Sequence, residues 1–114
     1  MRNKIILSLI LLLALPSVAW SFEYSDDQIA DAIYLAEGGA KTRFPYGIKS
    51  IDTKGNKKYA RKICLNSIRN ARKRWEMANK PEDFIVFMGR RYSPPHINPN
   101  WARLVKYFLN KNNG

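Results

Sequence analysis

The chain has one cysteine and one histidine in 114 residues, and this scarcity excludes several chemistries at the outset. Cys64 has no internal partner, so no disulfide can staple the domain and its stability has to come from packing. Cys64 is most simply a small buried apolar residue. Cys64 and His96 together cannot build a zinc site, and nothing around Cys64 resembles a thiol-activating motif. No glycine-rich loop of the kind that cradles phosphate is present. No internal repeat or linker composition marks a second domain. No metal and no cofactor is therefore expected.

Acids are also scarce, and they are unevenly placed. The nine Asp and Glu face 20 Lys and Arg. Five of the nine, Glu23, Asp26, Asp27, Asp31 and Glu37, precede residue 38, whereas 18 of the bases follow it. Such a field favours an anionic partner: cell-wall polymer, nucleic acid or anionic lipid. The other explanation is plain solubility.

The N-terminus reads as a secretory signal peptide. Arg2 and Lys4 form a positive n-region, and Ile5 to Leu15 is apolar apart from Ser8. Pro16 ends that run, and Ala19-Trp20-Ser21 offers small residues at the two positions a signal peptidase reads. The apolar core is short for a transmembrane helix. Residues 1–21 are the expected leader, cleaved after Ser21 with Ala19 as the second choice, and 22–114 the single mature domain, periplasmic or secreted and monomeric. An uncleaved anchor is the alternative.

The mature chain is patterned as mainly α. Ser25-Asp26-Asp27-Gln28 is a capping box, and Ile29, Ala32, Ile33 and Ala36 follow at helical spacing. Gly38-Gly39 ends this helix, predicted over 25–37 with Glu37 as its last residue. The segment from Gly38 to Gly55 is irregular and compatible with a short β-hairpin without requiring one. A long helix is predicted over 57–79, with Tyr59, Ala60, Ile63, Cys64, Ile68, Ala71, Trp75 and Ala78 as its apolar stripe. Pro81 suits the first position of a short third helix that stops at Gly89, with Glu82 and Asp83 in its first turn. Asn100 caps a last helix on which Trp101, Leu104, Val105, Phe108 and Leu109 share a face, and the polar tail from Asn110 is expected to fray.

Glu37 is the foremost candidate for chemistry. It closes a helix whose inner face is apolar, and both the negative end of the helix dipole and partial burial raise a carboxyl pKa. A carboxylic acid that keeps its proton near neutral pH is what glycosidic cleavage requires, because the leaving oxygen must be protonated as its bond breaks. The two glycines beside it would let a sugar chain approach the backbone. An ordinary helix-end glutamate with a glycine cap has the same spacing.

Ala36-Glu37-Gly38-Gly39 and then Tyr46-Gly47-Ile48 resemble the helix–Glu–loop entrance of the lysozyme-like superfamily of lysozymes and lytic transglycosylases. Phe87-Met88-Gly89-Arg90-Arg91-Tyr92-Ser93-Pro94-Pro95, followed by Asn98-Pro99-Asn100-Trp101, resembles the segment of some of its cell-wall glycosidases in which an Arg- or Tyr-bearing loop leads into a Trp-capped helix. The likeness runs through most of residues 25–109 as scattered short motifs. It implies a small lysozyme-like helical domain that cleaves peptidoglycan glycan strands with Glu37 as general acid and base. It further implies that Tyr46 stacks on a sugar or hydrogen-bonds Glu37, that Tyr92 orients Glu37 from the opposite wall, and that Thr42, Ser50 and Arg91 meet the substrate. Tyr46 as a core tyrosine and Tyr92 as a loop-packing one are the plainer alternatives.

A lysozyme-type hydrolase usually needs a second carboxylate. Asp52 is the acid that follows Glu37 in the cleft-forming stretch, although it also suits the start of the turn Asp52-Thr53-Lys54-Gly55. The shortage of acids favours a single-Glu mechanism of lytic transglycosylase type. Arg69, Arg72, Lys73, Arg74, Arg90 and Arg91 are available to hold peptide carboxylates or other anionic polymers, or form a solvated helix face. Two other functions fit the composition: a non-catalytic cell-wall or glycan-binding domain, and a cationic exported protein that binds nucleic acid or membranes.

Overall fold

A computed structural model of the chain describes residues 24–49 and 56–113. The expected signal peptide, Ser50 and Asp52 lie outside the described residues. Among the described residues, four α-helices carry the fold: α1 Asp26–Ala36, α2 Lys57–Met77, α3 Phe84–Tyr92 and α4 Trp101–Asn113. Two 3-10 turns, Gly39–Lys41 and Pro45–Gly47, occur in the described part, 38–49, of the segment where the sequence was compatible with a hairpin. No strand is found among the described residues. The turns form because Gly38 and Gly39 take left-handed φ values of 113° and 58°, reversing the chain sharply after α1. None of the helices among the described residues is long and apolar enough to cross a membrane.

α1 begins as its sequence dictates. Ser25 Oγ accepts from the Gln28 N–H at 3.2 Å, and Gln28 Oε1 accepts from the Ser25 N–H at 2.8 Å. The apolar side of the helix, Ile29, Ala30, Ala32 and Ile33, is buried against α2 and α4. Asp26 and Asp27 stand in the first turn, where the dipole favours them, and both also reach α2: Asp26 pairs with Arg72 and Asp27 with Arg61.

α2 starts on Asn56, whose Oδ1 accepts from the Tyr59 N–H at 3.0 Å, and buries Ala60, Cys64, Ile68, Ala71 and Trp75. Tyr59 stays 45% exposed, so it leaves the predicted stripe. Asn79 and Lys80, both at positive φ, turn the chain back toward α3. The Trp75 indole N–H donates to the Glu82 carbonyl at 2.7 Å and its ring meets Phe84 edge-on, which fixes that turn.

Several boundaries differ from the sequence reading, among them the end of α2, which stops at Met77 instead of 79. α3 begins at Phe84 rather than Pro81, because Asp83 serves as the N-cap by accepting from the Val86 N–H at 3.1 Å. α3 also runs through Gly89 to Tyr92. Gly89 is not a helix stop; a Cβ there would lie 2.8 Å from Trp101 Cε3, so the missing side chain is what lets the indole lie on α3. Finally, the tail does not fray after Asn110. α4 continues to Asn113, and both asparagines are tied to the start of α1: Tyr24 Oη–H donates to Asn110 Oδ1 at 2.9 Å and Gln28 Nε2–H to Asn113 Oδ1 at 3.0 Å.

Candidate functional site

Glu37 is the C-cap of α1, with φ −93° and its N–H still bonded to Ile33 O. Its side chain is half-buried and turns into the junction of three elements. From α4, Trp101 Nε1–H donates to Glu37 Oε2 at 2.9 Å. From the Pro45–Gly47 turn, Gly47 abuts the carboxyl group so closely that a Cβ at this position would lie 2.5 Å from Glu37 Cδ and within 2.7 Å of both oxygens. Gly47 has φ 72°, so glycine is required here both for the conformation and for the space. Burial is the main influence on the carboxyl group and raises its pKa; the Trp101 hydrogen bond and the charge of Lys49 pull the other way without cancelling it.

The turn that brings Gly47 to the acid is itself anchored. Tyr46 sits at φ 61°, an uncommon value for a tyrosine, and its side chain is fully buried. Its ring packs on Tyr34 at 5.2 Å between centroids, and its hydroxyl accepts from Arg61 Nη1 at 3.1 Å. Arg61 also reaches Asp31 at 2.8 Å and Asp27 at 3.2 Å, so α1, α2 and the turn meet at one guanidinium. The Tyr46 carbonyl accepts the Tyr92 hydroxyl at 2.5 Å. Burial, with Cys64 and Glu37 nearby, raises the Tyr92 pKa far above the usual phenol range, so Tyr92 remains a neutral donor. Cys64 is fully buried and its thiol is pushed up to about 12, chiefly by burial, which leaves it inert as a nucleophile at neutral pH.

Next to this junction lies a groove of about 480 Å³, within the size range of small-molecule sites, bounded by residues 47–49, α2 and α3. Gly47 and Tyr92 line the groove, so the acid abuts a residue of its wall. Lys49, Arg74 and Arg91 line it too, over an apolar surface of Ile48, Ile63 and Met88.

Of the residues singled out in the sequence, Tyr92 and Arg91 come together on the groove. Tyr46 does not: its positive φ turns the ring into the core, so it offers no face to a sugar and does not bond Glu37. Nor does Tyr92 bond Glu37, because its hydroxyl is taken by the Tyr46 carbonyl; instead its ring lies 5.4 Å from that of Trp101 and backs the acid's actual partner. Thr42 lies outside the groove lining, and its Oγ1 accepts from the Phe44 N–H at 3.0 Å to shape the turn. Arg74, read in the sequence among the bases available to hold peptide carboxylates, also lines the groove, whereas Trp101, Gly47 and Lys49 were not picked out by sequence as site residues. Trp101 was read as core, which it is at 1% exposure. The available signal was its indole N–H, since a buried tryptophan needs an acceptor. No group of three or more His, Cys, Asp or Glu that could hold a metal ion occurs among the described residues.

One prediction follows from the Trp101 contact. In Trp101→Phe the carboxylate loses the donor that favours its ionised form, so the Glu37 titration moves to higher pH. The ¹³C shift of the Glu37 carboxyl followed against pH by NMR checks this, with the resonance assigned by its loss in Glu37→Gln. An unchanged or lower midpoint would mean that the indole does not govern the acid.

Comparison of the chain with models of protein families, with curated proteins and with solved structures finds no match.

Proposed function

We propose that this protein is an exported glycosidase of the lysozyme-like kind that cleaves peptidoglycan glycan strands, with Glu37 as general acid and then general base. The observation that carries the reading is the half-buried Glu37 carboxyl group, desolvated, oriented by Trp101 and set against the groove wall at Gly47. Desolvation keeps the acid form populated to higher pH than for a free glutamate, which suits proton donation to a glycosidic oxygen.

In the first step Glu37 gives its proton to the bridging oxygen as the bond from that oxygen to the anomeric carbon breaks, and an oxocarbenium-like centre develops. Glu37, now a carboxylate, then removes a proton from the incoming hydroxyl as its oxygen bonds to that carbon. The fate of the other described acids supports a single-carboxylate route. Asp26, Asp27, Asp31, Glu82 and Asp83 are all engaged by arginine or lysine, Glu76 is exposed on α2, and none of them lines the groove. With no second carboxylate at the groove among the described residues, the sugar's own 6-hydroxyl is the favoured incoming group, and the product carries an anhydro ring as in lytic transglycosylases.

Incubation of the mature protein with isolated cell-wall sacculi, followed by mass spectrometry of the soluble fraction, tests the proposal. Fragments ending in anhydro sugars are expected, each lighter by one water than the hydrolytic product. Hydrolysed ends would replace the single-carboxylate route with a two-carboxylate one. Binding to sacculi with no release of fragments would make this a wall-binding domain instead of an enzyme.

A further inference from the structure

The described part of the chain has far more bases than acids, yet the acids are not spread evenly among them. Asp27 and Asp31 hold Arg61, Asp26 holds Arg72, Glu82 holds Arg90, and Asp83 holds Lys106. Arg69 bonds to Asn66. These pairs lie outside the groove beside Glu37. Arg74, Arg91 and Lys49, by contrast, line that groove together, and among the described residues none of the three forms an ion pair. Among the described residues no aspartate or glutamate lines it; the neutral polar groups there are Ser67, Asn70 and Tyr92.

Like charges held in one concavity repel each other and are stabilised by an anion that enters. The position of the groove limits what that anion can be attached to. It adjoins the Glu37 carboxyl through Gly47, and its remaining wall mixes the apolar Ile48, Ile63 and Met88 with the neutral polar Ser67, Asn70 and Tyr92. A ligand that fits has a neutral, partly apolar body at the acid and a carboxylate a short distance away. Sugar rings bearing peptide substituents have that character. A bare neutral glycan lacks the anion. A polyphosphate backbone presents charge at regular intervals, and of the described bases outside the groove only Arg61, Arg72, Arg90 and Lys106 are paired with acids, so duplex DNA is the competing ligand that the test has to exclude.

Building on the reading of Glu37 as a peptidoglycan-cleaving acid, we infer that Arg74, Arg91 and Lys49 form a carboxylate subsite that selects glycan strands still carrying their stem peptides. Arg74 is supplied by α2 and Arg91 by α3, so the subsite spans the groove and positions the strand by its substituent as well as by its sugars. A planar guanidinium suits a carboxylate because two N–H groups can meet its two oxygens.

The test is equilibrium binding to the mature Glu37→Gln protein, which removes turnover, of two soluble glycan oligomers of equal length: one with intact stem peptides, the other stripped of them by an amidase. The peptide-bearing oligomer is expected to bind about tenfold more tightly at low salt, the effect of about one charge-assisted hydrogen bond. That advantage shrinks as salt is added. Arg74→Gln with Arg91→Gln brings the ratio of the two affinities close to one, whereas Arg74→Lys with Arg91→Lys retains part of the preference. A ratio near one in the parent, a ratio unmoved by removing both charges, or displacement of the peptide-bearing oligomer by duplex DNA at equal charge would overturn the subsite. Failure of the glycosidase reading is separate: a preserved preference, with no fragments released from sacculi by the wild-type chain, leaves the subsite standing and removes the enzyme.

Discussion

Glu37→Gln is expected to lower the rate of glycan cleavage about a thousandfold, within the range seen when a positioned general acid is lost. The isosteric amide still accepts from Trp101 Nε1–H and still occupies the space against Gly47, so the loss is chemical and not structural. Stability should move the other way. Burial raises the Glu37 pKa in the folded chain, so the folded state binds this proton more tightly than the unfolded state does. Stability from this group is therefore fully present below the unfolded value near 4.5 and declines as pH rises from there through the raised folded value. Above that window the folded protein holds a desolvated carboxylate that the unfolded chain would solvate. Glu37→Gln abolishes this burden, and its melting temperature relative to wild type should rise with pH across the window and then level off. Cleavage assays on sacculi and thermal melts from pH 4 to 8 read the two effects. A variant that keeps wild-type cleavage would end the proposed function; one less stable at neutral pH than at acid pH, relative to wild type, would mean that the carboxylate is better solvated than its surroundings imply.

The same site shows why the fold was more legible in the sequence than the chemistry. α1, α2 and α4 bury apolar stripes, and α1 and α2 start on capping side chains, so periodicity and short-range bonding were enough to find them. Gly38-Gly39 marked the end of α1 and with it the position of Glu37. What escaped were the features set by contacts between residues distant in sequence. Trp101 lies 64 positions from Glu37, and its stripe position says nothing about where the indole N–H points. Gly89 looks like a helix stop until the Trp101 ring is laid against it. The resemblance implied that Tyr46 faces the cleft, with a core tyrosine as the alternative; it is the core position that Tyr46 takes, at a φ of 61°, with its carbonyl left for Tyr92. Arg74 and Arg91 were read among the bases available to hold peptide carboxylates, and Arg91 also as a substrate contact; that the two share one groove depends on how α2 packs on α3.

Gly47→Ala is the substitution expected to cost the most stability for the smallest change in composition. The added methyl carbon would sit 2.5 Å from Glu37 Cδ, far inside van der Waals contact, so the carboxyl end of that side chain has to shift. The carboxyl group is held by Trp101, a nearly fully buried residue, while the backbone of the turn is held by the buried Tyr46 ring and by the Tyr92 hydroxyl on its carbonyl. Placing alanine at φ 72° costs about 1 kcal/mol or more, and overpacking adds about 1–3 kcal/mol, for a loss of roughly 2–4 kcal/mol. In a domain of this size that lowers the melting temperature by on the order of 10 °C or more. Cleavage should fall as well, since the carboxyl group can escape the methyl only by leaving its bond to Trp101. A double-mutant cycle separates the two contributions: in a Glu37→Ala background the collision is gone, and Gly47→Ala should cost only the backbone share, about 1 kcal/mol. Chemical denaturation of the four proteins gives the coupling. If Gly47→Ala costs as much without the Glu37 side chain as with it, then the two residues do not compete for space, and the packing of the acid against the groove wall is not what the turn at residues 45–47 is built to achieve.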